Sequence, residues 1–398
     1  MNSAFTGVPS RTKRGELSLI ATELPTILTP ILASLPTILE DPEARIRNRH
    51  ADLLVNKKVA DTLKLRSCII QRLRDFLVEN EFLEVQTPVL ADGAGGAIAR
   101  PFMTEATEFS DKTLSLRIAP EIWLKRLILG GMDRVFEIGP AFRNEGLDAS
   151  HNPEYTTCEF YKAFANLEDL INMTEYMMYQ LVVHANRMIQ TQYTTLQPLD
   201  ATFYGSPFER IEFIPALEAS IQRKLPDLQS KDASEKLVSL YHDLRLPLPA
   251  SLTLPRLLDK LSSIYLEPQC DNPTFIIYPP ACLAPLSKSF HDPATDQVVS
   301  ARAELFIQRR EMANMYEEEN SPFEQRNKFI EQAQWRDDEN SGIIDEGYLE
   351  ALEWGLPPTG GWGCGVDRLC MHFAGAGRIS DVLSFGSLRN VVGLAQRT

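Results

Sequence analysis

Apolar residues recur with a helical period in three stretches of the chain. Between residues 59 and 80 they follow this period at Leu63, Ile69, Ile70, Leu73, Phe76 and Leu77. The pattern predicts an amphipathic helix, and a second helix is predicted over residues 166–187. A third is predicted to begin at Pro120 and to stop at Gly130 and Gly131, because proline suits the first turn of a helix and glycine ends one.

A strand, a polar loop and a second strand are predicted between Arg134 and Tyr161. Apolar residues lead to Arg143, turn-forming residues follow, and an aromatic-rich stretch returns through Glu159 and Tyr161. Residues two apart in a strand share a face, so Glu159 and Tyr161 point the same way. An arginine at a strand end can clamp a carboxylate or a phosphate. Arg143 beside Glu159 suits an amino acid held next to a phosphate; the alternative is a surface hairpin with scattered charges.

The sequence predicts the remaining elements with approximate bounds. A hairpin is predicted around residues 302–318, and a strand followed by a helix from about residue 361. Residues 188–262 are rich in Leu and Lys and carry no chemical pattern, which favours a mostly helical insertion. Residues 25–58 contain four prolines and are predicted to form a linker that leads to a short helical segment.

Composition narrows the class of protein. The chain has 398 residues, 44% of them hydrophobic, and could hold one large domain or two to three ordinary ones. A net charge of −14 argues against general electrostatic binding of nucleic acid, although a local basic patch remains compatible with it. The six cysteines form no CxxC pair and are expected to be reduced thiols in an intracellular compartment. No apolar run approaches membrane-spanning length, so no membrane partner is expected.

Three segments carry a resemblance to a known family. Residues 134–161 closely resemble motif 2 of the class II aminoacyl-tRNA synthetases, and within that class the lysyl-tRNA synthetases of mitochondrial type. Residues 82–88 are similar to motif 1, a dimer-interface strand that ends in a proline. Residues 361–369, Gly-Trp-Gly-Cys-Gly-Val-Asp-Arg-Leu, look like motif 3. The motifs occur in the family's order, and the resemblance covers nearly the whole chain from about residue 7.

This resemblance implies the fold and the domain organisation. The fold class is α+β, with a mixed, mostly antiparallel sheet flanked by helices. Residues 59–398 would form the catalytic domain, with residues 188–262 as the insertion and residues 25–58 as the linker. Residues 1–24 would be a remnant, because only the last strand of the family's anticodon-binding OB-fold is recognised there. A single strand cannot close a five-stranded barrel, so this stretch is expected to be loosely ordered.

The resemblance also implies the reaction and the ATP site. Lysine-tRNA ligases activate L-lysine with ATP to lysyl-adenylate and transfer lysine to tRNA(Lys). Arg143 and Arg368 would be catalytic, with Arg143 bridging the lysine carboxylate and the α-phosphate. The Tyr155 ring and Arg368 would cover opposite faces of adenine. The predicted ATP-binding residues are Arg143, Glu145, His151, Tyr155, Glu304, Glu311 and Arg368.

Glu304 and Glu311 are the predicted Mg²⁺ ligands. If the chain turns near residues 307–309, the two carboxylates come nearly opposite each other on paired strands. Like charges in that position are destabilising unless a cation lies between them. Mg²⁺ takes a few carboxylates together with phosphate oxygens, as the resemblance implies. The alternative is a pair of solvated charges on an edge strand.

The amino-acid pocket decides which substrate is chosen. A desolvated ε-ammonium needs buried acids, whereas the related aspartyl and asparaginyl enzymes need a cation, and this sequence offers acids. Glu159, Tyr161 and Glu318 match the family's ε-amino contacts. Asn314 matches a carboxylate contact, and Tyr316 stands where Phe or Tyr is usual. The full set of predicted lysine-binding residues is Gly96, Glu121, Arg143, Glu159, Tyr161, Asn314, Tyr316 and Glu318, with Gly96 and Glu121 at the α-amino group.

Partners and location follow from the same resemblance. A homodimer through motif 1 and contact with the acceptor end of tRNA(Lys) are expected. The mitochondrial matrix is the expected compartment, although no presequence is visible, and the cytoplasm is the alternative. Two other functions stay open: a paralogue that attaches lysine to a protein, and a non-catalytic scaffold. Retention of Arg143, Glu304, Glu311 and Arg368 argues against the scaffold.

Overall fold

The computed structural model describes residues 2–92, 99–109, 111–205, 207–334 and 344–394. Two compact units are present, residues 1–56 and residues 57–398. The helices in the described residues are α1 Pro42–Arg47, α2 Arg49–Val55, α3 Lys57–Glu79, α4 Glu121–Leu129, α5 Leu167–Thr191, α6 Phe213–Ile221, α7 Ala233–Asp243, α8 Leu254–Tyr265, α9 Pro322–Ala333, α10 Glu346–Leu352, α11 Val366–Ala374, α12 Ile379–Val382 and α13 Leu388–Leu394. Among these residues no helix combines the length and the apolar character needed to cross a bilayer.

The strands are mostly short. They are β1 Asn2–Ala4, β2 Gly7–Arg11, β3 Leu17–Ala21, β4 Thr26–Thr29, β5 Leu83–Glu84, β6 Leu90–Ala91, β7 Met103–Glu105, β8 Thr113–Leu116, β9 Arg134–Phe142, β10 Glu154–Ala163, β11 Glu209–Glu212, β12 Thr274–Ile277, β13 Ser289–Asp292, β14 Gln297–Ser300, β15 Arg302–Ile307, β16 Arg310–Glu317 and β17 Thr359–Gly365.

The first unit contains more strands than the single one predicted. β1 pairs with β4 and β2 pairs with β3, both antiparallel, so residues 2–29 form two separate ladders. Large apolar side chains on these strands stay exposed, as at Leu17, which is 81% accessible. α1 begins at Asp41, whose carboxylate caps the helix by accepting the N–H of Ala44 at 2.7 Å. The division into remnant, linker and catalytic domain stays a prediction.

An eight-stranded sheet organises the second unit. Its order is β11-β12-β15-β16-β17-β10-β9-β5, antiparallel except at the two ends, where β11 with β12 and β5 with β9 are parallel. Alternate residues of β9 and β10 enter different cores: Phe136 and Phe160 pack with α3, α5 and α11, whereas Val135 and Tyr161 pack with α4 and α10. Helices therefore cover both faces, and the predicted α+β fold with a mostly antiparallel sheet is confirmed.

The helical predictions were accurate because their signals are local. α3 covers residues 57–79 where 59–80 was predicted, and α4 ends where Gly131 adopts a φ of +90°. Asn166 starts α5 with a capping box, in which it accepts the Asp169 N–H and the Asp169 carboxylate accepts the Asn166 N–H.

Helices cover about half of residues 188–262, and the stretch is also part of the main sheet. β11 adds a parallel strand at the sheet edge beside β12. α6, α7 and α8 bury their apolar faces in a core of their own, which also contains Ile276 and Phe306 of the sheet. The stretch is thereby attached to the strands that carry the candidate site, and its description as an insertion stays a prediction.

Candidate active site

The candidate site lies across two adjacent rows of the sheet. One row runs through Glu137, Glu159, Gly363, Asn314 and Glu304, and the next runs through Val135, Tyr161, Gly361, Tyr316 and Arg302. Residues paired across a ladder project from the same face, so these side chains share one side of the sheet. Strands far apart in sequence thus contribute to a single surface.

Glycines of β17 form the floor of this surface. A Cβ atom at Gly361 would lie 1.8 Å from Glu318 Oε1 and 2.7 Å from Tyr161 Cε1. At Gly363 a Cβ would lie 3.3 Å from Cγ of Glu159. Gly361 is therefore required by the close approach of the two side chains that cover it.

Arg143 follows directly after β9 at one end of the site. Its guanidinium carbon lies 5.3 Å from the ring centroid of Tyr155, and its backbone N–H donates to the Pro153 carbonyl at 2.8 Å. The Nε atom is buried and has no hydrogen-bond partner in the part of the chain that the structure describes. An unsatisfied buried donor costs about 1–3 kcal/mol, so this group is poised to bind an anion.

Arg368 lies at the same end of the site as Arg143. Its guanidinium is 2.6 Å from Nε2 of His151 and 3.2 Å from a carboxylate oxygen of Glu311. Nδ1 of His151 lies 2.7 Å from Asp148. Although burial opposes it, hydrogen bonds from Ser150 and His151 lower the pKa of Asp148 to about 2.

The other predicted ATP residues flank this group. Tyr155 is largely buried, which raises its pKa to about 12, and its hydroxyl donates to the Ile118 carbonyl at 3.2 Å. Glu145 is exposed in the loop after β9. The fold thus brings Arg143, His151, Tyr155 and Arg368 to one region.

Asp367 holds the motif 3 helix in position. Its carboxylate pairs with Arg66 of α3 at 2.5 Å and accepts the N–H of Thr156 at 2.9 Å. α11 is tied to α3 and β10, and this fixes the start of the helix where Arg368 projects into the site.

Glu304 and Glu311 lie two ladder positions apart along the hairpin and not nearly opposite each other, the arrangement that the sequence predicts. Glu304 pairs with Asn314 and Glu311 with Phe306, because the chain turns at residues 308–309. The turn at residues 308–309 has positive φ at both positions, +51° and +62°. Glu304 forms an ion pair with Arg302, and Glu311 forms one with Arg368.

Two further acids stand near this hairpin, and sequence reasoning missed them. Asp259 of α8 and Glu267 act electrostatically on this hairpin, because both raise the pKa of Glu304. Burial, together with Asp259 and Glu311, raises the pKa of Glu267 to about 7. Burial raises the pKa of Glu304 to about 7; Arg302 opposes the rise and the neighbouring acids add to it.

The predicted lysine contacts lie on both rows and on the elements beside them. Tyr316 donates its hydroxyl hydrogen to Glu121 at 2.7 Å, and Tyr161 donates to Glu159 at 3.2 Å. Asn314 accepts from Nε of Arg302 at 2.8 Å. Glu318 follows β16 and is fully buried. Gly96 lies outside the described residues.

Burial has a strong effect on these acids. It raises the pKa of Glu159 to about 8; Glu121 adds to the rise, and Arg143 and Tyr161 oppose it. Burial also raises the pKa of Glu318, and Lys125 is the first group that opposes that rise. The pocket therefore gains much from the arrival of positive charge.

Lys125 is a cation inside this pocket that the sequence interpretation overlooked. Its Nζ lies 2.6 Å from Glu121 and forms an ion pair with Glu318. The side chain is fully buried, with the rings of Tyr161, Tyr316 and Tyr348 5.7–5.9 Å from Nζ. The expectation that the pocket offers only acids was thus incomplete, although the spacing of Glu121 and Lys125 on a predicted helix could have suggested the pair.

Comparison with known proteins shows the family of this chain. The sequence model of the family described as tRNA synthetases class II (D, K and N) matches residues 41–389. The chain belongs to this family. The mitochondrial lysine–tRNA ligase of Schizosaccharomyces pombe is 43% identical over 396 residues, which cover 97% of this chain and 72% of that protein.

Two other relatives of this class II synthetase also carry the name lysine–tRNA ligase. A probable cytoplasmic lysine–tRNA ligase of Encephalitozoon cuniculi is 40% identical, with 97% of this chain and 77% of that protein covered. The lysine–tRNA ligase of Enterococcus faecalis is 38% identical, with 96% and 76% covered. The predicted resemblance to the lysyl branch is confirmed, and neither a protein-lysylating paralogue nor a non-catalytic scaffold gains support from these relatives.

Proposed function

We propose that this class II synthetase is a lysine–tRNA ligase, which activates L-lysine with ATP and transfers lysine to tRNA(Lys). One observation carries the assignment of the amino acid. Glu121, Glu159 and Glu318 are buried together beside Arg143, in a pocket whose acids favour an added ammonium. The names of the relatives support the same substrate.

Arg143 has the central role in the proposed activation step. An oxygen of the lysine carboxylate attacks the α-phosphorus of ATP, a C–O–P bond forms, and the bond to pyrophosphate breaks. The two reacting groups are both anionic, so a guanidinium between them lowers their repulsion and orients them. The buried, unsatisfied Nε of Arg143 supports this role. Tyr155 and Arg368 would cover the two faces of adenine.

Glu304 and Glu311 would hold Mg²⁺ that accompanies ATP. The donors fit, because Mg²⁺ is usually held by one or two carboxylates together with substrate phosphates. The raised pKa of Glu304, to about 7, reflects burial and the repulsion of neighbouring acids, which a cation would relieve. Bound there, Mg²⁺ would neutralise phosphate charge.

A homodimer through residues 82–88 is part of this proposal. β5 is the last strand at its end of the main sheet, and Leu83 is 52% exposed. Thr87 donates to Glu137 at 2.7 Å, and Glu137 pairs with Arg117 at 2.6 Å, which connects this edge to β9. An exposed apolar edge strand suits pairing with a second copy. The mitochondrial location is likewise a proposal, since relatives named mitochondrial and relatives named cytoplasmic both match.

L-Lysine is expected to support exchange of labelled pyrophosphate into ATP, while aspartate and asparagine are not. The acids of the pocket would repel an acidic side chain and leave an amide without a cationic partner. The measurement compares the three amino acids at saturating ATP and Mg²⁺, followed by aminoacylation of tRNA(Lys). Robust exchange with aspartate would contradict the amino-acid assignment, and no exchange with any amino acid would contradict the enzymatic one.

Lysine affinity is expected to increase with pH up to about pH 8. Glu159 is mostly protonated below its raised pKa of about 8, and a bound ammonium favours its ionised form. Binding must then release a proton, so affinity increases by up to about tenfold per pH unit below that value. Calorimetry from pH 6 to pH 8.5, in two buffers of different ionisation enthalpy, measures the affinity and the proton release. Glu159→Gln should reduce the dependence of lysine affinity on pH. If that dependence is unchanged, the released proton does not come from Glu159.

A further inference from the structure

A buried ammonium already occupies the proposed lysine pocket. Lys125 has no solvent exposure, and its Nζ contacts carboxylates from two elements, Glu121 of α4 and Glu318 after β16. Although burial works against its charge, Glu121 and Glu318 raise its pKa well above the ordinary value. Placing a charge in the interior is expensive unless it is paired, so the arrangement needs an explanation.

Formal charges suggest what Lys125 does. The pocket holds three carboxylates, those of Glu121, Glu159 and Glu318. Lys125 offsets one of these charges, which leaves a formal charge of two negatives. A lysine substrate brings two ammonium groups, and its carboxylate is assigned to Arg143. The resident cation thereby adjusts the pocket to a diamino acid and leaves no excess negative charge.

The same carboxylate offers an oxygen to a second donor. Glu318 Oε1 is buried without a hydrogen-bond partner among the described residues, although the carboxylate is ion-paired with Lys125. Gly361 gives this oxygen its space, since a Cβ there would lie 1.8 Å away. The carboxylate can therefore be held by Lys125 and still accept from the substrate.

We propose that Lys125 is a positioning and specificity-determining residue, which holds Glu121 and Glu318 in place and balances the charge of the pocket for a diamino substrate. The inference rests on the proposed function. Without Lys125, acids at close quarters would take up a proton or move apart. The titratable groups around Lys125 come from every element packed against it. They are Glu121 of α4, Glu159 and Tyr161 of β10, Tyr316 of β16, Glu318 just after β16, and Tyr348 of α10.

The test compares Lys125→Met with Lys328→Met. Lys328 of α9 offers a control, because its side chain is only 13% exposed and pairs with the buried Glu319 at 2.6 Å. In pyrophosphate exchange, Lys125→Met is expected to raise the KM for lysine at least about 30-fold, as for loss of a buried charge partner, and the KM for ATP less than about twofold. Its KM for lysine should also fall more steeply with rising pH than that of the wild type, because the pocket acids need a higher pH to ionise. Lys328→Met should match the wild type in both.

Each result bears on the proposal. An unchanged KM for lysine would overturn it, and a lowered KM would show that Lys125 merely competes with the substrate. If the KM for lysine and the KM for ATP increase equally and the pH profile is unaltered, Lys125 has only a structural role and the proposal is wrong. If Lys125→Met does not fold, Lys125→Gln takes its place, because glutamine still donates hydrogen bonds without charge, and the same outcomes apply. Lack of lysine-dependent exchange by the wild type would instead overturn the proposed function.

Discussion

Replacing Arg143 with alanine is expected to reduce lysine-dependent pyrophosphate exchange by about 10³–10⁵-fold. This range is that of an arginine that neutralises charge in phosphoryl transfer. The side chain lies over Tyr155 with a buried, unsatisfied Nε, so few described contacts would be lost with it. The loss should therefore fall on the reaction and not on the fold, and it should appear in kcat as well as in kcat/KM.

Arg134→Ala is the matched control for this variant. Arg134 begins the strand that Arg143 follows, but it pairs with the exposed Glu81 at 2.8 Å, far along β9 from the site. Its removal should change exchange less than about threefold, since exposed ion pairs contribute about 0–1 kcal/mol. A fall in activity that is equal for the two variants, or a tenfold effect at most for Arg143→Ala, would remove Arg143 from the chemistry.

Glu318→Gln is expected to raise the KM for lysine from about 30-fold to several thousandfold. Removing one partner of a buried charge pair costs about 2–5 kcal/mol. Glutamine keeps the shape of the side chain, so the floor at Gly361 is not disturbed. The KM for ATP should change little, because the adenine and phosphate contacts are assigned to Arg143, Tyr155 and Arg368.

Glu319→Gln separates substrate recognition from loss of buried charge. Glu319 is the next residue, is buried and is paired with Lys328, yet it has no assigned place in the pocket. Its replacement should change the stability of the protein, and it should not raise the KM for lysine more than the KM for ATP. Equal changes in both KM values for Glu318→Gln, or the same lysine effect for Glu319→Gln, would mean that Glu318 does not face the ε-amino group.

The sequence was sufficient wherever the signal is local. α5 begins at a capping box, and β9 and β10 show the alternation and turn residues that define a hairpin. The side chains on β10, Glu159 and Tyr161, share a face because of the strand period alone. The family resemblance then placed Arg143 and Arg368 in one site, and the structure brings them to the same region.

Features that depend on several elements could not be read in this way. The offset of Glu304 from Glu311 is set by the turn at residues 308–309, whose exact position no periodicity records. Asp259 comes near the hairpin because α8 packs against Ile276 and Phe306 of the sheet. Lys125 looks like an ordinary helix lysine until the fold places Glu318 against it.

The position of β17 has a consequence for the order in which the protein can fold. It lies between β10 and β16, and β10 and β17 are separated by nearly two hundred residues of chain. Contacts so distant in sequence form slowly, because the loop-closure entropy must be overcome first. The β5-β9-β10 half of the sheet carries Arg143, and the other half carries Glu304. Among the described strands the two halves adjoin through β17, so we expect catalytic competence to be acquired late in folding, when the glycine-rich strand pairs with both.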